Sequence, residues 1–144
     1  METELRLRVV QRREDKMPDR FAKPTDEDAA VLRRLDAVLS NFQSHGINAI
    51  SHVRALLQVA LDPGVGPAEY ARKLGTLQPV ASRLLLDIST ETSQGKTGLG
   101  LVDRDTDPMS LRNRRTFLTP KGRQVVNSVS GTLLTTFHDY RPRR

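Results

Sequence analysis

Between Gly66 and Ile88 two short apolar-faced segments are punctuated by Gly-Pro, by Gly, and by Gln-Pro, and this spacing constrains the chain more than any other feature. Gly66-Pro67 supplies a glycine cap with proline at the first helical position, which opens a short helix, Ala68 to Leu74, that Gly75 ends. Gln78-Pro79 opens a second helix three residues after Leu74, with Val80, Ala81, Leu84, Leu85 and Ile88 on its apolar side. Two short helices joined by a tight glycine-containing turn are the outline of a helix-turn-helix. The remaining elements must cover the apolar side of that pair.

Upstream, Thr25 caps a helix Asp26 to Gln43 with an acidic first turn, and Ala29, Leu32, Leu35, Leu39 and Phe42 fall on one face. Gly46 stops it. A further helix from Asn48 is expected to turn Ile50, Val53, Leu56, Leu57, Ala60 and Leu61 inward and to close at Asp62-Pro63-Gly64. Downstream, Ser89 to Gly100 is polar and glycine-bearing, which predicts a loop. Leu101-Val102-Asp103-Arg104 and Arg115-Thr116-Phe117-Leu118 are expected to pair around the polar stretch Asp105 to Arg114, a long hairpin with basic residues near its tip. Thr119-Pro120 caps a last helix with Val125, Val126, Val129, Leu133, Leu134 and Phe137 at helical spacing. The fold class is therefore mainly α with a small β-hairpin wing, a winged helix-turn-helix. Residues 1–24 form an arm with seven basic and five acidic side chains, in which Leu5, Leu7 and Val9 alternate as a short strand would; 25–140 form the domain; 141–144 are a basic tail.

Composition narrows the chemistry. With 144 residues the chain holds one domain of usual size. Lys and Arg number 23 against 17 Asp and Glu, for a net charge of +6, a balance that favours polyanions. Without cysteine there is no disulfide framework, thiol catalysis or thiolate zinc site. Nothing approaches the roughly 18 to 20 apolar residues of a membrane span, and the charged start lacks a secretory core, so the expected location is the cytoplasm, in association with the nucleoid. Aromatic residues are 4% of the chain and Trp is absent, which disfavours stacking on single-stranded bases and leaves duplex as the better partner.

Three patterns imitate chemistry. Gly95-Lys96-Thr97 resembles the end of a phosphate loop, but Thr90 stands where that loop needs its first glycine, and a helix precedes it rather than a strand. Asp103, Asp105 and Asp107 imitate a calcium loop that Pro108 and Arg114 interrupt. His45, His52 and His138 share no metal-ligand spacing. With no cofactor fingerprint, metal set or nucleophile motif, the chain is not expected to be an enzyme or to hold a cofactor.

A helix-turn-helix followed by a basic hairpin presents one helix to a major groove and a ribbon to a minor groove or backbone. On the second helix Gln78, Pro79, Ser82 and Arg83 lie off the apolar side, and Arg83 can donate twice to a guanine. Asp87, four residues on, is the competing partner for Arg83. In the hairpin Arg112, Arg114 and Arg115 outweigh Asp107 and suit a narrow minor groove.

The region from about Ile50 to Val129 resembles the multiple antibiotic resistance regulator (MarR) family of bacterial winged-helix transcription factors. The segment Pro67-Ala68-Glu69-Tyr70-Ala71 is similar to the family's first motif helix, and Val80-Ala81-Ser82-Arg83-Leu84-Leu85 to its recognition helix. Gly100-Leu101-Val102-Asp103-Arg104, Asp107-Pro108 and Phe117-Leu118-Thr119-Pro120-Lys121-Gly122-Arg123 are similar in order and spacing to its wing and the start of its next helix. The resemblance implies a homodimer on a pseudo-palindromic operator, usually as a repressor, with a small effector ligand in many members; no convergent polar cluster marks a ligand site here. Ser110-Leu111-Arg112 departs from the family's frequent Asp-x-Arg, and the loop Thr90 to Gly98 is longer than usual. With no counterpart of the family's additional C-terminal helix, dimerisation is expected to rest on the helices Asp26 to Gln43 and Lys121 to His138 and on the arm. Their residues Leu32, Leu35, Leu39, Phe42, Val129, Leu133, Leu134 and Phe137 offer more apolar surface than one small domain needs. A non-specific DNA-architectural protein and a protein-interaction module are the rival functions of such a domain.

Overall fold

The computed structural model describes residues 20–90, 97–107 and 109–139, without the side chains of 106, 107, 110–113 and 135–139. The alternation at Leu5, Leu7 and Val9, the basic tail 141–144, Gly95-Lys96 and the side chains of Phe137 and His138 lie outside the described residues. The chain divides into two compact units, Met1–Arg33 and Arg34–Arg144. In the first, the Thr25 hydroxyl accepts the Asp28 backbone N–H at 3.2 Å, the cap expected from sequence, and Asp26, Glu27 and Asp28 complement the positive end of the helix. That helix, α1, runs Asp26–Ser44.

The second unit adds α2 (Ile50–Leu61), α3 (Pro67–Leu74), α4 (Gln78–Asp87), the antiparallel hairpin β1 (Val102–Asp107) and β2 (Ser110–Leu118), and α5 (Pro120–Asp139). Gly66 is the extended N-cap of α3, and Gly75 ends it in the left-handed region at φ 67°, where a side chain would be strained, so that the chain turns into α4 within three residues. The core is one cluster. Val38 and Phe42 of α1, Ala55, Leu56 and Val59 of α2, Tyr70 and Leu74 of α3, Ala81 and Leu85 of α4, Leu101 and Val102 of the hairpin, and Val125 and Val129 of α5 are all buried within it. No helix among the described residues is long and apolar enough to cross a membrane.

Four expectations are corrected. Ile50 and Leu61, expected inward, are 72% and 76% exposed, because the first and last turns of α2 overhang the crossing that buries Ala55, Leu56 and Val59. Val80, placed on the apolar side of α4, is 46% exposed; the side of α4 that packs is the one shared by Ala81 and Leu85. The strands are longer than the apolar residues suggested, since backbone pairing continues through Arg104↔Thr116, Asp105↔Arg115 and Thr106↔Arg114 to Asp107↔Ser110. Arg112 and Arg114, expected in the connecting stretch, therefore stand in β2 together with Arg115. The ends of the expected loop are also fixed. Ser89 bridges Val102 in parallel, and the N–H groups of Leu99, Gly100 and Leu101 donate to the carbonyls of Asp87, Ser89 and Ile88.

At the hairpin base Thr119 Oγ1 donates to the Gly100 carbonyl at 2.6 Å and accepts the Gly122 N–H at 3.1 Å, so one hydroxyl closes the hairpin and caps α5. A Cβ on Gly122 would fall 1.9 Å from the Leu101 carbonyl oxygen, which is why only glycine fits the first turn of α5. Of the helix residues expected at a dimer interface, Phe42 and Val129 belong to the core of the single chain, and Asn41 Nδ2 reaches Ser128 Oγ at 3.1 Å and Thr132 Oγ1 at 3.2 Å, tying α1 to α5. Leu35, Leu39, Leu133 and Leu134 stay exposed.

Candidate nucleic-acid interface

Helix α4 is held from three sides. Ala81 and Leu85 pack into the core with Ile88 just beyond the helix end. Its C-terminal end is tied to α2 by His52 Nε2 and Asp87 Oδ2 at 3.1 Å. From the hairpin, Arg104 Nη2 donates to the Ser82 carbonyl at 3.2 Å. Asp87 is thus engaged by α2 and is not the partner of Arg83, contrary to the intrahelical pairing weighed from sequence. Gln78, Pro79 and Arg83 are exposed and Ser82 is half-buried, so the four residues expected on the presented side are brought to one leading surface of α4. Val80 and Leu77 add an apolar margin to it.

The hairpin residues are placed differently from one another. Arg114 is exposed opposite Thr106. Arg115 is half-buried and its Nη2 lies 3.7 Å from Asp105 Oδ2 across the ladder, which offsets its charge locally. Arg112 stands in β2 within the irregular stretch of the register, and its side chain lies outside the described residues. Burial, and secondarily the positive charge of Arg114, holds the Arg104 guanidinium below the ordinary arginine range, which leaves it charged at neutral pH.

Arg104 and His52 are the connecting residues that the sequence reading passed over. Strand alternation carried a signal for the first: Val102 and Arg104 share a face, and Val102 is buried. Nothing in the spacing pointed to the second. Among the described residues no three His, Cys, Asp or Glu side chains converge as metal ligands; His45 Nδ1 meets the Asn41 carbonyl at 2.9 Å instead. A cavity of about 380 Å³ opens beside α1 and α2, lined by Leu39, Phe42, Ile47 and Val53 with the polar Asp36, Gln43 and Asn48.

No family model matches the chain, and no curated protein matches it in sequence. Solved structures do match. A MarR family transcription regulator aligns over 94% of this chain and 77% of its own at 20% identity, with a TM-score of 0.59. The chain has the MarR winged-helix fold. MepR of S. aureus, solved as a complex with DNA, aligns over 76% of this chain and 81% of its own at 16% identity and a TM-score of 0.60. The transcriptional repressor CouR, bound to a 23-mer DNA duplex, aligns over 78% of this chain and 72% of its own at 26% identity and a TM-score of 0.51. Within that fold α3 and α4 form the helix-turn-helix and β1-β2 the wing.

Proposed function

We propose that this protein is a sequence-specific double-stranded DNA-binding transcriptional regulator, a repressor that binds a pseudo-palindromic operator as a homodimer. The observation that carries the reading is the leading surface of α4, where Gln78, Pro79 and Arg83 stand exposed next to a wing whose Arg104 grips the Ser82 carbonyl. A helix of that width enters a major groove, and its polar groups meet base edges. Arg114, exposed on β2, and Arg112 supply the charge for phosphate or the adjoining minor groove. The net charge of +6 has the sign that a polyanion requires. The likeness to MepR and CouR, each solved on DNA, supports the same direction.

Two recognition helices related by a twofold axis would lie about 34 Å apart and read half-sites about 10 base pairs apart. A small effector ligand that releases the operator belongs to the same reading, and the cavity beside α1 and α2 is where it would be sought.

The test is selection of a preferred duplex from a random pool, followed by fluorescence anisotropy on that duplex and on a random one from low to physiological salt. An operator reader gives a ratio of roughly 10³ or more. Equal affinities that collapse with salt indicate DNA coating, and no binding at low salt indicates a protein-interaction module. On the preferred duplex Arg83→Ala is expected to cost about 1 to 3 kcal/mol and to relax preference at one base pair, whereas Arg114→Ala weakens all sequences alike and lowers the salt slope by about one. Equal, small losses on both duplexes from Arg83→Ala would remove it from base reading.

A further inference from the structure

Side chains on the packed side of α4 are buried to completion, Ala81 and Leu85 at 0% exposure, yet Val80 between Pro79 and Ala81 keeps 46% of its surface open and Leu77 at the N-cap keeps 73%. Neither overhang is needed by the fold, because the core closes without them. Val80 precedes Arg83 by three residues, so the two side chains are neighbours on one side of the helix surface. A branched apolar group that shares its helix surface with a base-reading guanidinium has one chemically matched feature in a major groove. That feature is the C5-methyl of thymine, the one methyl group on the major-groove base edges.

We infer that Val80 is a specificity-determining residue that packs on a thymine methyl next to the base pair read by Arg83. The inference rests on the operator-reading function proposed above and extends it to part of the operator's content. Three residues of helix advance about 4.5 Å, and stacked base pairs are spaced about 3.4 Å, so the thymine lies within about two base pairs of the guanine. Leu77, further toward the leading end, borders the same site and limits water access to it.

The experiment uses the full chain and its selected duplex, remade with deoxyuridine in place of single thymines, which deletes the methyl and leaves base pairing intact. One thymine in each half-site, within two base pairs of the position relaxed by Arg83→Ala, should weaken binding by about fourfold when replaced, the value of one buried methyl. In Val80→Ala the thymine-to-deoxyuridine affinity ratio at that position should drop to about one, while Leu61→Ala, which alters a more exposed apolar residue on α2, should keep it. Circular dichroism melts confirm that each variant is folded. A preferred duplex with no thymine there, or one indifferent to deoxyuridine, overturns the inference and leaves the operator reading intact. A ratio that survives in Val80→Ala assigns the methyl to another residue and equally overturns it. Failure of selection to return any preferred duplex removes the operator reading itself.

Discussion

One hydroxyl joins the helix-turn-helix to the wing. Tyr70 Oη lies 2.8 Å from the Asp62 carbonyl and 3.2 Å from the Thr116 carbonyl, so its single proton is shared between the turn after α2 and the strand β2. The Thr116 carbonyl also accepts the Gly64 N–H at 2.8 Å, whereas the Asp62 carbonyl depends more heavily on the tyrosine. Tyr70→Phe is therefore expected to cost about 1 to 2 kcal/mol in urea denaturation, chiefly from the carbonyl left behind. Burial also pushes the phenol up from 10.0 to about 12. The unfolded chain releases that proton first, so the Tyr70 contribution is complete below pH 10, declines as pH rises, and is gone above about pH 12. Urea midpoints at about pH 9 and about pH 11 should differ more in the wild type than in Tyr70→Phe. Equal pH slopes in the two proteins would show that the tyrosine does not titrate with folding.

At the scale of elements, Arg104 ties the hairpin to the middle of α4, beyond the backbone bonds that join the hairpin base to the end of that helix. Its Nη2 bond to the Ser82 carbonyl falls at the centre of α4, beside Arg83. Arg104→Met retains the buried aliphatic stem and removes the donor. Its expected effect is a loss of about fivefold in the ratio of preferred to random duplex affinity, near 1 kcal/mol, with an unchanged salt slope. A slope lowered by about one would mean that Arg104 itself contacts phosphate, and the positioning role would fall. The same elements show what sequence could reveal. Helices α3 and α4 were legible to within a residue, because Gly66-Pro67, Gly75 and Pro79 fix backbone geometry through their own covalent constraints. The hairpin was legible in kind but drawn too short, since beyond Arg104 it is held by backbone pairing under side chains with no apolar alternation. Val80 was misassigned because it lies at helical spacing from Leu84 yet away from the side that Ala81 and Leu85 share. Alternation with Val102 marked the inward side of Arg104, but its partner left no mark in the sequence, because the acceptor is a carbonyl and every residue carries one.

For the whole molecule, the proposed homodimer would rest on exposed leucines. Leu35 and Leu134 are 54% and 61% exposed, and Leu39 and Leu133 stand open beside them in sequence on α1 and α5. The Asn41 bonds to Ser128 and Thr132 already fasten α1 to α5 within one chain, so these leucines are surplus to that contact. In the proposed dimer the same surplus surface would meet its own copy across a twofold axis, and its burial there would remove it from water at about 25 cal/mol per Å². Such a dimer would set affinity for the proposed two-fold operator, because the second half-site would be met at the high effective concentration that linkage provides. Leu134→Glu places a charge on this surface at a position too exposed to disturb the core. Sedimentation should show the wild type as a dimer and Leu134→Glu as a monomer with an unchanged far-ultraviolet spectrum. The monomer should bind the preferred duplex about 10²-fold or more weakly, while its affinity for an isolated half-site stays as it was. A Leu134→Glu protein that remains dimeric would place the interface elsewhere, and one that loses half-site affinity as well would show that the substitution reaches the reading head through the fold.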